Sequence, residues 1–190
     1  MKKLLIASIL ALSFLGCVSA QVGKPFTHNG KKMVFLTPNY LKYEKDIVDL
    51  KAYYTATSLA SSKNILQANP DLQFDLRFYP DKKRLVALFP EAPFIYNGIL
   101  EEVLLSNGED VIKMEIVNFS NLWNGKIPNV TLNKTQANKL YKIFKNSAPI
   151  IVRVTTTQGY YDLQLQEKFR PVMAELLEVY FGLKQYNINF

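Results

Sequence analysis

A single cysteine, Cys17, and a single histidine, His28, are all the thiol and imidazole that this 190-residue chain carries. That scarcity excludes a disulfide framework, a Cys/His zinc cluster and any site that needs two histidines. A histidine-centred nucleophilic triad would have to be built on His28, which lies in the polar stretch Thr27-His28-Asn29. The eight glycines form neither a dinucleotide fingerprint nor a phosphate loop. No G-x-S-x-G elbow is present, and Ser62-Lys63 lacks the one-turn spacing that a lysine base requires. Arginine occurs only four times among 23 basic residues, which argues against a surface selected to grip phosphates with forked guanidinium groups. Acidic residues do not cluster as a calcium loop would need. No cofactor is expected.

What is present begins with an address. Lys2 and Lys3 precede an apolar run from Leu4 to Leu15, and Val18-Ser19-Ala20 places small residues ahead of Gln21. This is the layout of a secretory signal peptide over residues 1–20, too short for a spanning helix. Two cut sites stay open. Phe14-Leu15-Gly16-Cys17 resembles the lipobox of bacterial lipoproteins, with Phe14 where Leu is usual and Leu15 where a small residue is usual. Cutting before Gln21 frees a chain without thiol; cutting after a lipoprotein leader, residues 1–16, makes Cys17 the lipidated first residue. Either way the protein is expected to be exported, to the periplasm or tethered to the envelope membrane through Cys17.

Residues 21–32 are polar, contain Gly and Pro, and are expected to form a flexible mature N-terminus. Residues 33–190 are expected to form one globular domain. The 170 residues after Ala20 suffice to bury roughly 70% of the unfolded surface, and a composition of 48% hydrophobic and 21% charged residues is that of a folded chain. Loss of Lys2 and Lys3 lowers the formal charge of +7 by two, to +5. In an exported protein a basic balance of that size suits an anionic envelope surface, and nucleic acid is not an expected partner.

The pattern along the chain predicts an α+β fold: an antiparallel sheet built from hairpins, with about three helices packed on it. The stretch from Asn39 to about Gln67 has no Gly or Pro and spaces Leu41, Ile47, Val48, Leu50, Tyr54 and Leu59 in a way compatible with one helix face. Leu72, Phe74, Leu76 and Phe78 alternate with polar residues, Pro80 to Lys83 turns the chain, and Arg84 to Phe89 returns it. Asn107-Gly108 predicts a second hairpin, and Asn121 to Asn129 reads as a loop. Asn133 and Gln136 make a capping box for a helix over 134–146. Ile150 to Thr157 and Tyr160 to Gln166 form a third hairpin. Pro171 opens a helix over 172–181 that Gly182 ends.

Carboxylate pairs are the remaining route to catalysis. Glu101 and Glu102 are adjacent and face apart, Glu109 and Asp110 sit on a turn, and Glu175 and Glu178 match solvent-facing helix positions. The one enrichment is aromatic: eleven Tyr, twelve Phe and Trp123. Tyr53, Tyr54, Trp123, Tyr160 and Tyr161 fall at turns and element ends, where rings can form a recognition surface. The last residues, Tyr186-Asn187-Ile188-Asn189-Phe190, resemble the C-terminal signature of outer-membrane β-barrels, although Lys184 breaks the alternation. The sequence therefore leads to an exported bacterial cell-envelope protein acting as a non-catalytic binding module. Its partner would be another envelope protein, a glycan or an anionic envelope surface. The alternatives are a carboxylate-dependent envelope hydrolase and a small outer-membrane barrel.

Overall fold

The structure, a computed structural model, describes residues 22–28, 30–46, 52–61, 72–90, 99–116, 118–122 and 125–188. Twelve strands form one sheet: β1 (Phe26–His28), β2 (Lys31–Phe35), β3 (Lys42–Asp46), β4 (Ala52–Ser61), β5 (Leu72–Tyr79), β6 (Arg84–Leu88), β7 (Leu100–Ser106), β8 (Val111–Glu115), β9 (Asn118–Leu122), β10 (Gly125–Leu132), β11 (Ile151–Thr156) and β12 (Gly159–Leu165). Two helices join them, α1 (Lys134–Lys145) and α2 (Arg170–Tyr180), with a 3₁₀ turn at Glu167–Phe169 just before α2. Every described strand pair is antiparallel, so the mixed α+β architecture expected from the hairpin signals is the one observed.

The strands run β8-β7-β11-β12-β4-β5-β6-β10-β9, and a side branch β1-β2-β3 joins at β4. One face of the sheet carries the core. Phe74, Leu76 and Phe78 of β5 meet Ser58, Ala56 and Tyr54 of β4 in register, and Phe74 stacks on Phe89 with ring centroids 5.5 Å apart. Over this face lie the apolar sides of α1 (Ala137, Leu140, Ile143, Phe144) and α2 (Val172, Met173, Leu176, Leu177), all buried. The capping box of α1 is formed in both directions: the Gln136 N–H donates to Asn133 Oδ1 at 2.9 Å, and the Asn133 N–H donates to Gln136 Oε1 at 3.0 Å. Pro171 sits in the first turn of α2, and Gly182 supplies the left-handed residue after it, φ +74°. At the β7–β8 turn, Asn107 Oδ1 accepts from the N–H groups of Glu109 and Asp110, and Gly108 takes φ +91°.

Two expectations need correction. The helix expected over 39–67 is replaced, in its described part, by β3 and β4, so among the described residues two helices cover the sheet and not the three expected. The reason is that β4 is buried on both faces: Tyr53, Thr55, Ala56, Ser58 and Ala60 are all buried, which erases the alternation a half-exposed strand shows. Tyr53, Tyr54, Thr55 and Thr57 are nonetheless strand-favouring types. The expected loop at 121–129 is largely the β9–β10 hairpin. Pro128 lies just past the end of the β6 pairing, where the N–H it lacks leaves no register pair incomplete and its carbonyl still accepts from the Phe89 N–H at 3.0 Å. Within residues 21–32, the expected mature N-terminus, lie β1 and the start of β2, paired in register from Phe26 opposite Met33 to His28 opposite Lys31.

Candidate functional site

The branch at β4 creates the site. Residues 52–55 of β4 pair with β3, while Ala60 and Ser61 pair with β12, and the Gln166 N–H extends that second seam to the Leu59 carbonyl at 2.9 Å. Between the two seams β3 and β12 diverge, and a cleft of about 610 Å³ opens over Thr57. Its walls are Phe35, Lys42 and the turn residues Pro38, Asn39 and Tyr40 on one side, with Lys168 and Phe169 of the 3₁₀ turn on the other. Among the described residues, three aromatic rings and two ammonium groups line it, and no acid does.

The β2–β3 turn holds one of those rings in place. The Tyr40 N–H donates to the Thr37 carbonyl at 3.0 Å, and the Leu36 N–H to the Leu41 carbonyl at 2.7 Å. Tyr40 takes φ +66°, a left-handed conformation that is sterically costly for a bulky side chain. It remains 65% exposed, edge-on to Phe35 at 5.6 Å, and Phe35 stacks in turn on Phe26 at 5.5 Å. Lys168 Nζ lies 4.9 Å from the centre of the Phe169 ring.

The cleft continues into a buried polar row on the sheet face opposite the core. Lys42 is opposite Thr55, which is opposite Arg77; Glu44 is opposite Tyr53, and Thr57 opposite Asp75. The Tyr53 hydroxyl donates to Glu44 Oε2 at 3.0 Å and accepts from Lys31 Nζ at 2.7 Å. Lys31 and Lys42 approach the Glu44 carboxylate at 3.6 and 3.5 Å. The Arg77 guanidinium lies 5.1 Å from the centre of the Tyr53 ring. Burial alone would raise the Glu44 pKa, yet Lys42, the Tyr53 hydrogen bond, Lys31 and Arg77 together hold it below the usual carboxylate range. Asp75 goes the other way: burial raises it, against hydrogen bonds from Gln73 and Thr57. Two buried side-chain atoms in this row, Thr55 Oγ1 and Arg77 Nε, have no hydrogen-bond partner.

Among the described residues, the four tyrosines of the expected aromatic surface lie in separate places. Tyr53 is buried in the polar row, whereas Tyr54 points to the core face, stacked 6.0 Å from Phe78 and edge-on to Tyr43 at 5.0 Å. Tyr160 is 64% exposed under the Arg153 guanidinium at 4.6 Å, and Arg153 grips Asp162 through two 2.7 Å bonds. Tyr161 packs half-buried against the core. The registers place Tyr160 about twelve residue steps from Tyr53 along the strand axis, roughly 40 Å. Trp123 and Cys17 lie outside the described residues. The cleft residues Phe35, Tyr40, Lys42, Lys168 and Phe169 were not singled out by sequence. Pro38-Asn39 was the available signal, a turn between apolar runs that would carry Tyr40 at its end.

Acids fall differently from expectation too. Glu175 is buried, not solvent-facing: it accepts from Lys184 Nζ and, at 2.5 Å, from the Tyr186 hydroxyl, which ties the chain after α2 back onto that helix. Glu44 and Asp75 share one sheet face, but the strand geometry separates their Cα atoms by roughly 16 Å, with Lys42 and Arg77 ranged between them. Among the described residues no three of His, Cys, Asp and Glu group to hold a metal ion, and no helix is long and apolar enough to cross a membrane.

No family model and no curated protein matches this chain. Among solved structures, the crystal structure of invasion associated protein b from Bartonella henselae is similar over 84% of this chain and 97% of that one, at 13% identity and a TM-score of 0.38. A likeness of that degree says nothing about function.

Proposed function

We propose that this is an exported bacterial cell-envelope protein that works by binding, and that it binds through the cleft at the β4 branch. The observation that carries the reading is the cleft lining: the rings of Phe35, Tyr40 and Phe169 set beside the ammonium groups of Lys42 and Lys168, apolar walls with a few placed charges. A volume of about 610 Å³ falls in the range of small-ligand sites, which combine apolar walls with a few placed polar groups. The exposed ring of Tyr40, kept in an unfavourable backbone conformation, is a feature that packing alone does not call for. Export rests on the leader-like residues 1–20, with the mature protein in the periplasm or anchored through Cys17.

One observation favours the rival hydrolase: the environments of Glu44 and Asp75 push their pKa values in opposite directions, as an acid–base pair requires. Against it stands their separation, since the carboxyl groups of a glycosidase pair lie about 5–10 Å apart.

The test has two parts. Intact mass of the protein from envelope fractions should show a start at Gln21 or at a modified Cys17, and recovery of intact Met1 there would refute export. If the start is Cys17, Cys17→Ser should move the protein from the membrane to the soluble fraction. Binding of the purified protein to cell-wall sacculi and to anionic phospholipid vesicles should fall in Tyr40→Ala and Phe169→Ala. Retained binding in both variants would refute the cleft, and loss of function in Asp75→Asn with an unchanged melt would favour the hydrolase.

A further inference from the structure

The three-strand branch β1-β2-β3 ends in a tip that the cleft uses only in part. Phe26 opens β1, Phe35 closes β2 and Lys42 opens β3, so the strands meet there with the turn Pro38-Asn39-Tyr40 at their end. The Gly23 N–H donates to the Phe35 carbonyl at 2.9 Å, which brings Val22 and Lys24 to the same end. Seven large hydrophobic side chains are exposed among the described residues, and three of them, Val22, Phe26 and Tyr40, sit at this tip. Phe35 joins the two rings into one stack, 5.5 Å from Phe26 and 5.6 Å from Tyr40. Charge is segregated in the same way. Residues 21–43 contain four lysines and neither Asp nor Glu. Lys24 is exposed at the tip, and Lys168 is exposed on the facing wall of the cleft. Glu167, beside Lys168, is taken up by the Arg170 guanidinium at 2.7 and 2.8 Å. The first acid of the branch, Glu44, is buried between Lys31 and Lys42. The next, Asp46, lies opposite Lys31 at the far end of β3, roughly 13 Å from the tip.

We propose that this tip docks on an anionic phospholipid bilayer, with the Phe26 and Tyr40 rings seated among the headgroups and Lys24 and Lys168 against the phosphates. The inference rests on the binding reading, since Phe35 and Tyr40 serve both, and it names the surface that is bound. Tyrosine rings collect at the membrane–water interface, and surfaces that bind bilayers reversibly pair Phe and other apolar residues with Lys. A polyanion dissolved in water would meet the lysines but give the rings no apolar layer to enter. A protein partner needs about 800 Å² on each side. Three partly exposed side chains, which bury at most about 250 Å² each when fully covered, fall short of that. A bilayer has no such threshold, because each ring that enters and each lysine that nears the phosphates adds its own increment. One lysine close to the surface is worth about fivefold in affinity, a gain that salt reduces.

The experiment is sedimentation of the purified protein, without lipid on Cys17, with two kinds of vesicle: phosphatidylcholine alone, and phosphatidylcholine mixed equally with phosphatidylglycerol. Binding to the mixed vesicles is expected to be at least about tenfold tighter and to weaken as salt rises. Phe26→Ala and Lys24→Gln change exposed residues outside the cleft lining. The melting temperature should therefore hold in both, while binding to mixed vesicles falls about fivefold in each. A ligand lodged in the cleft alone would be indifferent to either. Tyr40→Trp adds a reporter at the tip, whose emission should shift to the blue on mixed vesicles and be quenched by brominated lipid. Tyr160→Trp places the same reporter at a site as exposed as Tyr40 but roughly 33 Å away along the strands, and it should do neither. Equal affinity for the two kinds of vesicle, binding to neither, or unchanged binding in Phe26→Ala or Lys24→Gln overturns the inference. So does a blue shift at Tyr160→Trp, or its absence at Tyr40→Trp. The cleft reading fails separately: sacculi bound in the absence of any vesicle binding, and bound less by Tyr40→Ala and Phe169→Ala, would leave it standing while this inference falls.

Discussion

Replacing Tyr53 by Phe removes one oxygen from the middle of a buried charge network and leaves the ring in place. That oxygen donates to Glu44 Oε2 at 3.0 Å and accepts from Lys31 Nζ at 2.7 Å. The two losses differ in weight. The Lys31 side chain is 30% exposed and can turn to water, so its lost bond contributes little. The Glu44 side chain is 6% exposed and keeps its charge beside Lys31 and Lys42, but it loses a hydrogen bond of the charge-assisted class, about 1.5–3 kcal/mol. The expected destabilisation is therefore about 2 kcal/mol, or roughly 4–8 °C in melting temperature for a chain of this size. The pH dependence supplies a second readout. Glu44 is held below its ordinary pKa in the folded state. Its contribution is thus present above the usual carboxylate range and disappears as pH falls through the depressed value. Melts followed by circular dichroism from pH 7 to pH 3 should show the gap between wild type and variant narrowing in acid. Equal melting temperatures at pH 7, or a gap that widens in acid, would refute the account of Glu44 as a carboxylate held charged by its neighbours.

Two further substitutions test other parts of the molecule. Phe74→Ala deletes a ring that is 1% exposed and stacked on Phe89, and should cost about 3–5 kcal/mol in a urea titration; an unchanged midpoint would show that β5 does not bury this face. Glu175→Gln keeps the shape but removes the charge that Lys184 meets. Burial opposes that charge, yet the hydrogen bonds from Lys184, Tyr186 and Thr37 outweigh burial and lower the Glu175 pKa. The variant should therefore be less stable than wild type at pH 7, converge with it as pH falls, and show faster amide exchange over residues 183–187. Slow exchange there in the variant would mean that the segment is held by something else.

Legibility in the sequence followed the alternation of polar and apolar residues. The hairpins at 100–115 and 151–165 each have one wet face, and β5 at 72–79 fills its second face with polar residues, so Leu72/Phe74/Leu76/Phe78 and Leu163/Leu165 announce themselves by alternation. The ends of α1 and α2 were readable because Asn133, Gln136, Pro171 and Gly182 act through the backbone next to them. β4 was not readable. Its second face is buried under polar partners as well as apolar ones, so Tyr53, Thr55 and Thr57 carry no hydrophobic period, and the absence of Gly and Pro then resembled a helix. The cleft was hidden for a different reason. Phe35, Lys42 and Phe169 meet only because two strands far apart in the chain share β4, and no local pattern encodes that meeting. Glu175 looked solvated for the same reason, since Lys184 and Tyr186 reach it from beyond the end of α2.

The branch at β4 also bears on the order in which the molecule assembles. β1 to β6 are neighbours in both chain and sheet, so they can zip as successive hairpins with short loop closures. The seam to β12 consists of two register pairs and the Gln166 contact, and it must wait for a segment about a hundred residues downstream, with the closure entropy and slow search that such a span entails. Its shortness makes it a natural place for the sheet to part again without global unfolding. The wall carrying Lys168 and Phe169 hangs from that seam. Any equilibrium between a zipped and an unzipped seam is therefore also an equilibrium between a formed and an unformed cleft, and a ligand that bridges the two walls would act as the stitch.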